Sequence, residues 1–295
     1  LMRVLFASGK GGAGKTTVTA GIAAFWPRPH VLADADVEAP DLGLYLPHAF
    51  SEETTVGLEV PVRITEDCDL CGECTSICQF NAIKKLAGRI IPFPDMCHGC
   101  GGCTAVCAPR AIVTGSRELG RIRIGEDDSG RAFLEGRSRV GEAMTPPLIR
   151  ALLQKASARA RQARADLLID APPGVSCPVM TAAASADVLV LVIDPTPFGV
   201  HDFKLALRAF ERLEKPMAAV INRSGQPSAA ACENELLAFC EEKGLEVAAR
   251  LPFEREAAAR AATGRHPMLD SEAWRTRFKL AAQALCSTFE GERHA

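Results

Sequence analysis

The sequence predicts an α/β protein: a doubly wound, mostly parallel sheet with a small α+β unit inserted. Three observations predict it. Short apolar runs alternate with helix-like stretches along nearly all of the 295 residues, the pattern of parallel strands joined by crossover helices. The first apolar run leads straight into a glycine-rich loop and then a helical stretch. Eight of the twelve cysteines fall in two matching runs that interrupt this alternation.

Taken in order, Arg3 to Ala7 read as a short buried strand. The next segment is Gly9, Lys10, Gly11, Gly12, Ala13, Gly14, Lys15 and Thr16, which fits G-x-x-x-x-G-K-S/T and precedes a helix over Thr17 to Phe25. Backbone N–H groups of such a loop and the helix N-terminus supply positive potential for phosphates. Lys15 is expected at the β and γ phosphates and the Thr16 hydroxyl on Mg2+, which makes ATP and Mg2+ the expected ligands. A merely structural glycine turn is the alternative, but strand, loop, Lys-Thr pair and helix all agree against it.

Val31 to Ala33 form a strand ending in DADVEAP, which places Asp34 and Asp36 at a carboxyl end, where α/β sheets keep their ligands. Two acids after a strand also make an ordinary turn. Asp166 to Gly174, DLLIDAPPG, is a buried strand followed by Asp170 and a Pro-Pro-Gly turn ending at Gly174. Val188 to Ile193 are apolar throughout, as a central parallel strand covered on both faces requires. The following segment turns into an amphipathic helix with Phe203, Leu207, Phe210 and Leu213 on one side. Met217 to Ile221 supply another strand, ending in Asn222 and Arg223. Leu251 to Phe253 and two helices, about Glu254 to Thr263 and Ser271 to Phe289, complete the pattern.

The cysteine runs, Cys68, Cys71, Cys74, Cys78 and Cys97, Cys100, Cys103, Cys107, share the spacing C-x2-C-x2-C-x3-C. In that spacing three thiolates wrap one cubane and the fourth reaches the partner cluster. Cys68, Cys71, Cys74 and Cys107 are expected to hold one 4Fe-4S cluster, and Cys97, Cys100, Cys103 and Cys78 the other. CDLCGECTSICQFNAI and CHGCGGCTAVCAPRAI align without a gap, so Ala82 matches Ala111 and Ile83 matches Ile112 as apolar shielding, while Gly72 and Gly101 let the backbone bend around the sulfurs. Structural zinc prefers two separated pairs per site, which this triple run does not suit. Disulfides need an oxidising compartment. The short apolar run at the N-terminus enters the phosphate loop without a cleavage site, so a cytoplasmic location with reduced thiols is expected.

Composition supports a large domain with a small one: 47% of residues are hydrophobic. A formal charge of -2 gives no electrostatic reason for nucleic acid as a partner. No apolar stretch approaches the roughly 20 residues that span a bilayer, so no membrane insertion is expected.

Lys10, at the second position of the loop, makes KGGAGKT resemble the deviant Walker A box of the MinD, ParA and nitrogenase iron protein class. That resemblance implies a signature lysine that crosses a dimer interface, hence a homodimer, or a heterodimer with a paralogue, formed on ATP binding. DADVEAP resembles switch I of the class, implying that Asp36 orients the attacking water with Asp34 nearer the metal shell. DLLIDAPPG looks like Walker B with switch II, implying that Asp170 holds Mg2+ through water and that the Gly174 N–H senses the γ phosphate. The class implies adenine recognition by Asn222 of the Asn222-Arg223 pair. Over nearly its whole length, including FPDMCHGCGGC, VGEAMTPPLIRAL, APPGVSCPV, DPTPFGVHDFKLAL and VINRSG, the chain resembles MinD-superfamily P-loop ATPases with an inserted ferredoxin domain. Ferredoxins place proline directly after the fourth cysteine of a run, whereas Gln79 and Ala108 stand here. The expected domains are 1–61 and 145–295 for the ATPase, 62–114 for the ferredoxin insert and 115–144 for a connecting hairpin.

Cys177 lies seven residues after Asp170, where the nitrogenase iron protein has a cluster-ligating cysteine. No second cysteine follows the same pattern, so a small residue packed before Pro178 is the other reading. Cys232, Cys240 and Cys286 read as buried thiols, and His98 as a surface or hydrogen-bonding residue. The function implied by the resemblance is an ATPase that assembles or delivers a metal-sulfur cluster to a client protein. ATP-gated electron transfer to a redox partner and a redox-sensing positioning ATPase are the alternatives. The ending STFEGERHA lacks the basic amphipathic helix of membrane-cycling MinD proteins.

Overall fold

The computed structural model describes residues 1–46, 48–269 and 271–292, except the Glu292 side chain. It divides into two compact units. The larger comprises 1–54, 122–137 and 149–295; the smaller comprises 55–121 and 138–148.

The first elements are β1 (Arg3–Ala7), α1 (Lys15–Ala24), β2 (His30–Asp34) and the long β3 (His48–Ile64), followed in the cysteine-rich segment by α2 (Glu73–Ile77), β4 (Ile83–Leu86), β5 (Arg89–Pro92) and α3 (Gly102–Ala105). Then come β6 (Ile112–Asp127), β7 (Ala132–Ser138), α4 (Pro146–Ala163), β8 (Asp166–Asp170), α5 (Cys177–Ser185) and β9 (Val188–Ile193). The chain closes with α6 (Pro197–Glu211), β10 (Met217–Ser224), α7 (Ala230–Glu242), β11 (Glu246–Pro252), α8 (Arg255–Ala261) and α9 (Glu272–Glu292). The unit boundaries fall inside β3 and β6.

Among the described residues the main sheet has nine strands in the order β11-β10-β9-β1-β8-β2-β7-β6-β3. Neighbours from β11 to β7 pair in parallel, as the doubly wound reading requires. Every residue of β8 and β9 is buried, which explains the unbroken apolar character of β9 and of Leu167 to Ile169 in β8: a parallel strand covered on both faces has no polar side to show. The register sets Asp34 of β2 opposite Asp170 of β8, and Phe6 of β1 on the other side of Asp170. Those strand ends are where the site forms.

Local chemistry starts and stops the helices. Thr196 caps α6 by accepting from the Gly199 N–H at 3.1 Å, with Pro197 at the first turn. Phe203, Leu207 and Phe210 face the core, whereas Leu213 lies beyond the helix end. On one face of the sheet α1 and α9 meet in a cluster that includes Phe6, Ile22, Leu32, Trp274, Phe278 and Phe289. The last helix reaches Glu292; Arg293 to Ala295 of the tail that the sequence reading singled out lie outside the described residues. Among the described residues no helix is long and apolar enough to cross a membrane.

In the smaller unit the two cysteine runs repeat in three dimensions. Leu70 (φ 61°), Gly72 (φ 85°) and Asn81 (φ 56°) of the first match Gly99 (φ 66°), Gly101 (φ 72°) and Arg110 (φ 52°) of the second. Gly72 and Gly101 precede α2 and α3, and each of their carbonyls accepts a 2.7 Å hydrogen bond from a hydroxyl, Thr75 and Thr104 respectively. Such left-handed positions are nearly free for glycine and strained for other residues. Strands β4 and β5 pair antiparallel, and Ile83 and Ile90 are buried with Cys74.

Within the cluster where α1 and α9 meet, one ring packs directly on the backbone of α1. Phe278 is 1% exposed, and a Cβ added at Gly21 of α1 would lie 2.4 Å from that ring. Phe278→Ala is expected to destabilise the fold by about 3–5 kcal/mol, the usual cost of emptying a ring-sized core site. Equilibrium urea unfolding monitored by circular dichroism checks it.

Candidate nucleotide site and cysteine cavities

Between β1 and α1 the loop turns through Gly12 (φ 83°) and Gly14 (φ 84°). A side chain at Gly14 would also meet Asn222, whose Nδ2 lies 2.2 Å from an ideal Cβ. The loop therefore presents bare backbone at the start of α1. Lys15 is 6% exposed, and its ammonium lies 2.7 Å from Asp170 Oδ2. Thr16 and Thr19 donate their hydroxyls to the two oxygens of the same carboxylate, each at 2.8 Å. Asp170 is fully buried, so three donors satisfy a charge that would otherwise be too costly to bury.

Asp34, also fully buried, accepts from the Asp36 N–H at 3.0 Å and the Leu42 N–H at 2.9 Å. Its two oxygens thus fix the loop after β2. Burial, reinforced by the neighbouring Asp170 charge, holds its carboxyl well above the usual carboxylate range. Asp36, half-buried at the loop start, is pushed up to about 6 by burial, with Lys15 pulling the other way. The Gly174 N–H, expected to face a γ phosphate, donates to the Ser8 carbonyl at 2.9 Å and ties the turn after β8 to the phosphate loop.

Lys10 is held within its own chain. Its ammonium donates to Thr196 Oγ1 at 3.2 Å and lies 3.8 Å from Asp194 Oδ2, to which Arg223 also reaches at 3.4 Å. Asp194 is 4% exposed and its Oδ1 has no hydrogen-bond partner among the described residues. The sequence reading passed over Asp194. The signal was present: Asp194 directly follows the apolar run Val188 to Ile193, as Asp170 follows Leu167 to Ile169.

Asn222 donates to the Ala13 carbonyl at 2.8 Å. With Arg223, Gly12, Gly14 and Thr17 it lines a cavity of about 360 Å3 whose far wall includes Pro252, Phe253 and Ala258. Apolar walls flanking a phosphate loop suit a purine ring. Tyr45 and His266 also support this region: the Thr17 hydroxyl donates to the Tyr45 oxygen at 3.2 Å, and the Thr17 carbonyl lies 2.8 Å from His266 Nε2. Burial pulls His266 down to about 4, so it serves as a neutral support.

No disulfide joins any of the cysteines among the described residues. The eight in the repeat divide four and four. Cys68, Cys71, Cys74 and Cys107 border one small cavity; Cys78, Cys97, Cys100 and Cys103 border another, of about 460 Å3. Each run thus contributes three cysteines to its own cavity and its fourth to the other. Backbone N–H groups point at sulfur in matching places: Ala82 to Cys78 and Ala111 to Cys107, both at 3.3 Å. Gly99 donates likewise to Cys97 at 3.3 Å. Among the described residues no three His, Cys, Asp or Glu side chains converge as one metal ion requires. His98 is exposed and stacks on Phe80 with ring centroids 3.6 Å apart. Cys177 is exposed at the first position of α5; Cys240 and Cys286 are buried, and Cys232 is half-buried rather than buried as expected.

A parallel sheet with a glycine loop after its first strand and paired acids at the adjoining strand ends defines a P-loop nucleotide-binding protein. The model of the CobQ/CobB/MinD/ParA nucleotide binding domain matches residues 4–268, and the chain belongs to that family. An uncharacterized protein of Methanocaldococcus jannaschii is 34% identical over 220 residues, 72% of this chain and 74% of that protein. A second from the same organism is 28% identical over 228 residues, 76% and 81% of the two chains. In fold the chain is similar to a chain of the MinC:MinD cell division protein complex of Aquifex aeolicus, with TM-score 0.59 at 14% identity, covering 97% of this chain and 96% of that one. It is likewise similar to the cell division ATPase MinD of Pyrococcus furiosus, with TM-score 0.54 at 17% identity, covering 97% and 98%.

If the cavity beside Asn222 receives the base, Asn222→Ala should weaken ADP binding about tenfold, the value of one well-placed hydrogen bond. Inosine diphosphate, which lacks the exocyclic amine, should lose less. Titration calorimetry with both nucleotides checks this, and equal losses would remove Asn222 from base recognition.

Proposed function

We propose that this chain is a Mg2+-dependent ATPase with two resident 4Fe-4S clusters, whose ATP-driven dimerisation, with a second copy or a paralogue, is coupled to assembly or delivery of a metal-sulfur cluster to a client protein. The observation that carries the iron-sulfur half is the crossed division of eight thiols between two cavities. The ligands of a cubane each bind a different iron, so four sulfurs around a cavity suit it better than four meeting at a point. Amides aimed at Cys78, Cys97 and Cys107 stabilise thiolate charge. Bound there, the clusters supply reversible one-electron chemistry.

On the nucleotide side Lys15 exchanges Asp170 for the β and γ phosphates, and Thr16 and Asp170 hold Mg2+, with Asp34 fixing the adjoining loop. Asp36 orients the attacking water. The Gly174 N–H exchanges the Ser8 carbonyl for a γ oxygen, so the turn after β8 responds to the nucleotide state. Lys10 leaves Asp194 to reach nucleotide held by the partner subunit. Cys177, three residues beyond Gly174 and exposed, is the thiol that this turn offers to a cargo cluster. A second reading, ATP-gated electron transfer, is favoured by one observation: the two cavities use all eight cysteines of the repeat, leaving none of these eight for cargo.

In this reading Asp36 acts as the carboxylate, so kcat/KM for Mg-ATP should fall as pH drops through about 6. Asp36→Asn should lose most hydrolysis and that acid limb with it; an unchanged limb would assign it elsewhere.

Protein prepared without oxygen should carry about eight irons and eight sulfides per chain, and Lys15→Ala should keep them while losing hydrolysis. Delivery predicts that ATP speeds iron loss to a bathophenanthroline chelator and that Cys177→Ser abolishes the effect. Electron transfer predicts that ATP speeds oxidation of dithionite-reduced protein by a viologen acceptor with iron retained. Colourless, iron-free protein with full hydrolysis would defeat both readings.

A further inference from the structure

The smaller unit contains a buried ion pair that breaks the symmetry of its repeat. Arg117 of β6 is 8% exposed, and its guanidinium meets Glu142, 9% exposed, at 2.9 and 3.2 Å. The same guanidinium donates through Nη2 to the Cys97 carbonyl at 3.2 Å and through Nη1 to the Asp95 carbonyl at 3.4 Å. Glu142 spends its oxygens on Arg117, on the Met144 N–H at 2.8 Å and on Arg139 Nε at 3.1 Å. Arg139 also donates to Asp95 Oδ1 at 2.8 Å. These contacts clamp the turn that delivers Cys97. Among the described residues, no guanidinium donates to the matching carbonyl of Cys68.

A buried pair of this kind seldom adds stability that apolar residues of similar volume could not supply, so a role beyond stability is the question. The pair sits on a backbone that carries a cavity cysteine. Charges buried in protein are little screened by salt, and reduction adds one negative charge to a cluster, whose potential responds to net charge and hydrogen bonding around it. A guanidinium donating into the Cys97 turn favours that added charge, and a carboxylate opposes it.

We propose that Arg117 and Glu142 are positioning residues that set the potential of the site formed by Cys78, Cys97, Cys100 and Cys103, so that two sites built on the same cysteine spacing differ in potential. This rests on the reading of the cysteines as 4Fe-4S ligands. Arg117 raises the potential of its site and Glu142 holds that rise in check. The other site, bordered by Cys68, Cys71, Cys74 and Cys107, lies outside this contact set.

The test is a redox titration of the full-length anaerobic protein, followed by electron paramagnetic resonance. Wild type should show two reduction waves. Arg117→Gln should move one wave to more negative potential, Glu142→Gln should move the same wave to more positive potential, and Arg117→Lys should return it towards wild type. The second wave should stay in place in all three. Glu142→Gln is nearly isosteric and keeps an acceptor for the Met144 N–H, so it still decides the matter if Arg117→Gln fails to fold. Opposite displacements of one wave are a signature that a purely structural role does not produce. Waves that both move, that move in the same direction in the two Gln variants, or that stay put would overturn the assignment. Wild-type protein without a cluster signal would instead overturn the ligand reading beneath it.

Discussion

The Lys15–Asp170 contact is the constraint on which the larger unit depends. Two carboxylates, Asp34 and Asp170, face each other across paired strands, both fully buried, with one ammonium beside them. That arrangement is tolerable only because hydroxyls and backbone amides supply the remaining donors. Asp170 takes Lys15, Thr16 and Thr19; Asp34 takes the amides of Asp36 and Leu42. The phosphate loop, the first turn of α1 and the loop after β2 are therefore locked to the same pair of strand ends. In the proposed nucleotide reading an incoming phosphate competes for the cation at the centre of this set, so its arrival bears on every element joined there.

The central strands were legible because burial on both faces leaves an apolar run with no competing interpretation, as in Val188–Ile193, and because Asp34 and Asp170 directly end such runs. The phosphate loop was legible because its glycines answer a backbone requirement that few other residues meet. The edge was not. β3 carries Ser51, Glu52, Glu53, Thr54 and Thr55 in succession and is largely exposed, so little hydrophobic pattern marks it. The IRI (122–124) and AFLEG (132–136) fragments read as a local hairpin, and their strands β6 and β7 do lie side by side, but β7 also pairs with β2 through Leu32–Phe133 and Asp34–Glu135. That pairing spans about a hundred residues of chain, and no local pattern announces it. Asp194 was missed for another reason: its partners, Lys10 on the phosphate loop and Arg223 at the end of β10, are distant from it in sequence.

The cysteine repeat shows how much a spacing can specify. Matching left-handed turns at Gly72 and Gly101, matching hydroxyl contacts from Thr75 and Thr104 and matching amide–sulfur contacts at Ala82 and Ala111 follow from one sixteen-residue pattern written twice. The halves share their cysteines and differ at other positions, and neighbouring chain adds a further difference. Arg117 and Glu142 lie outside both runs, and the Arg117 guanidinium reaches only one of them.

Asp194 is neighboured by two cations of unlike tether, Lys10 on a glycine loop and Arg223 at the end of β10. Should the lysine depart, the acid is not stranded, since the guanidinium stays behind to neutralise it. The resting grip on Lys10 is consequently weak to break for a buried carboxylate, a clasp with a second catch already fastened.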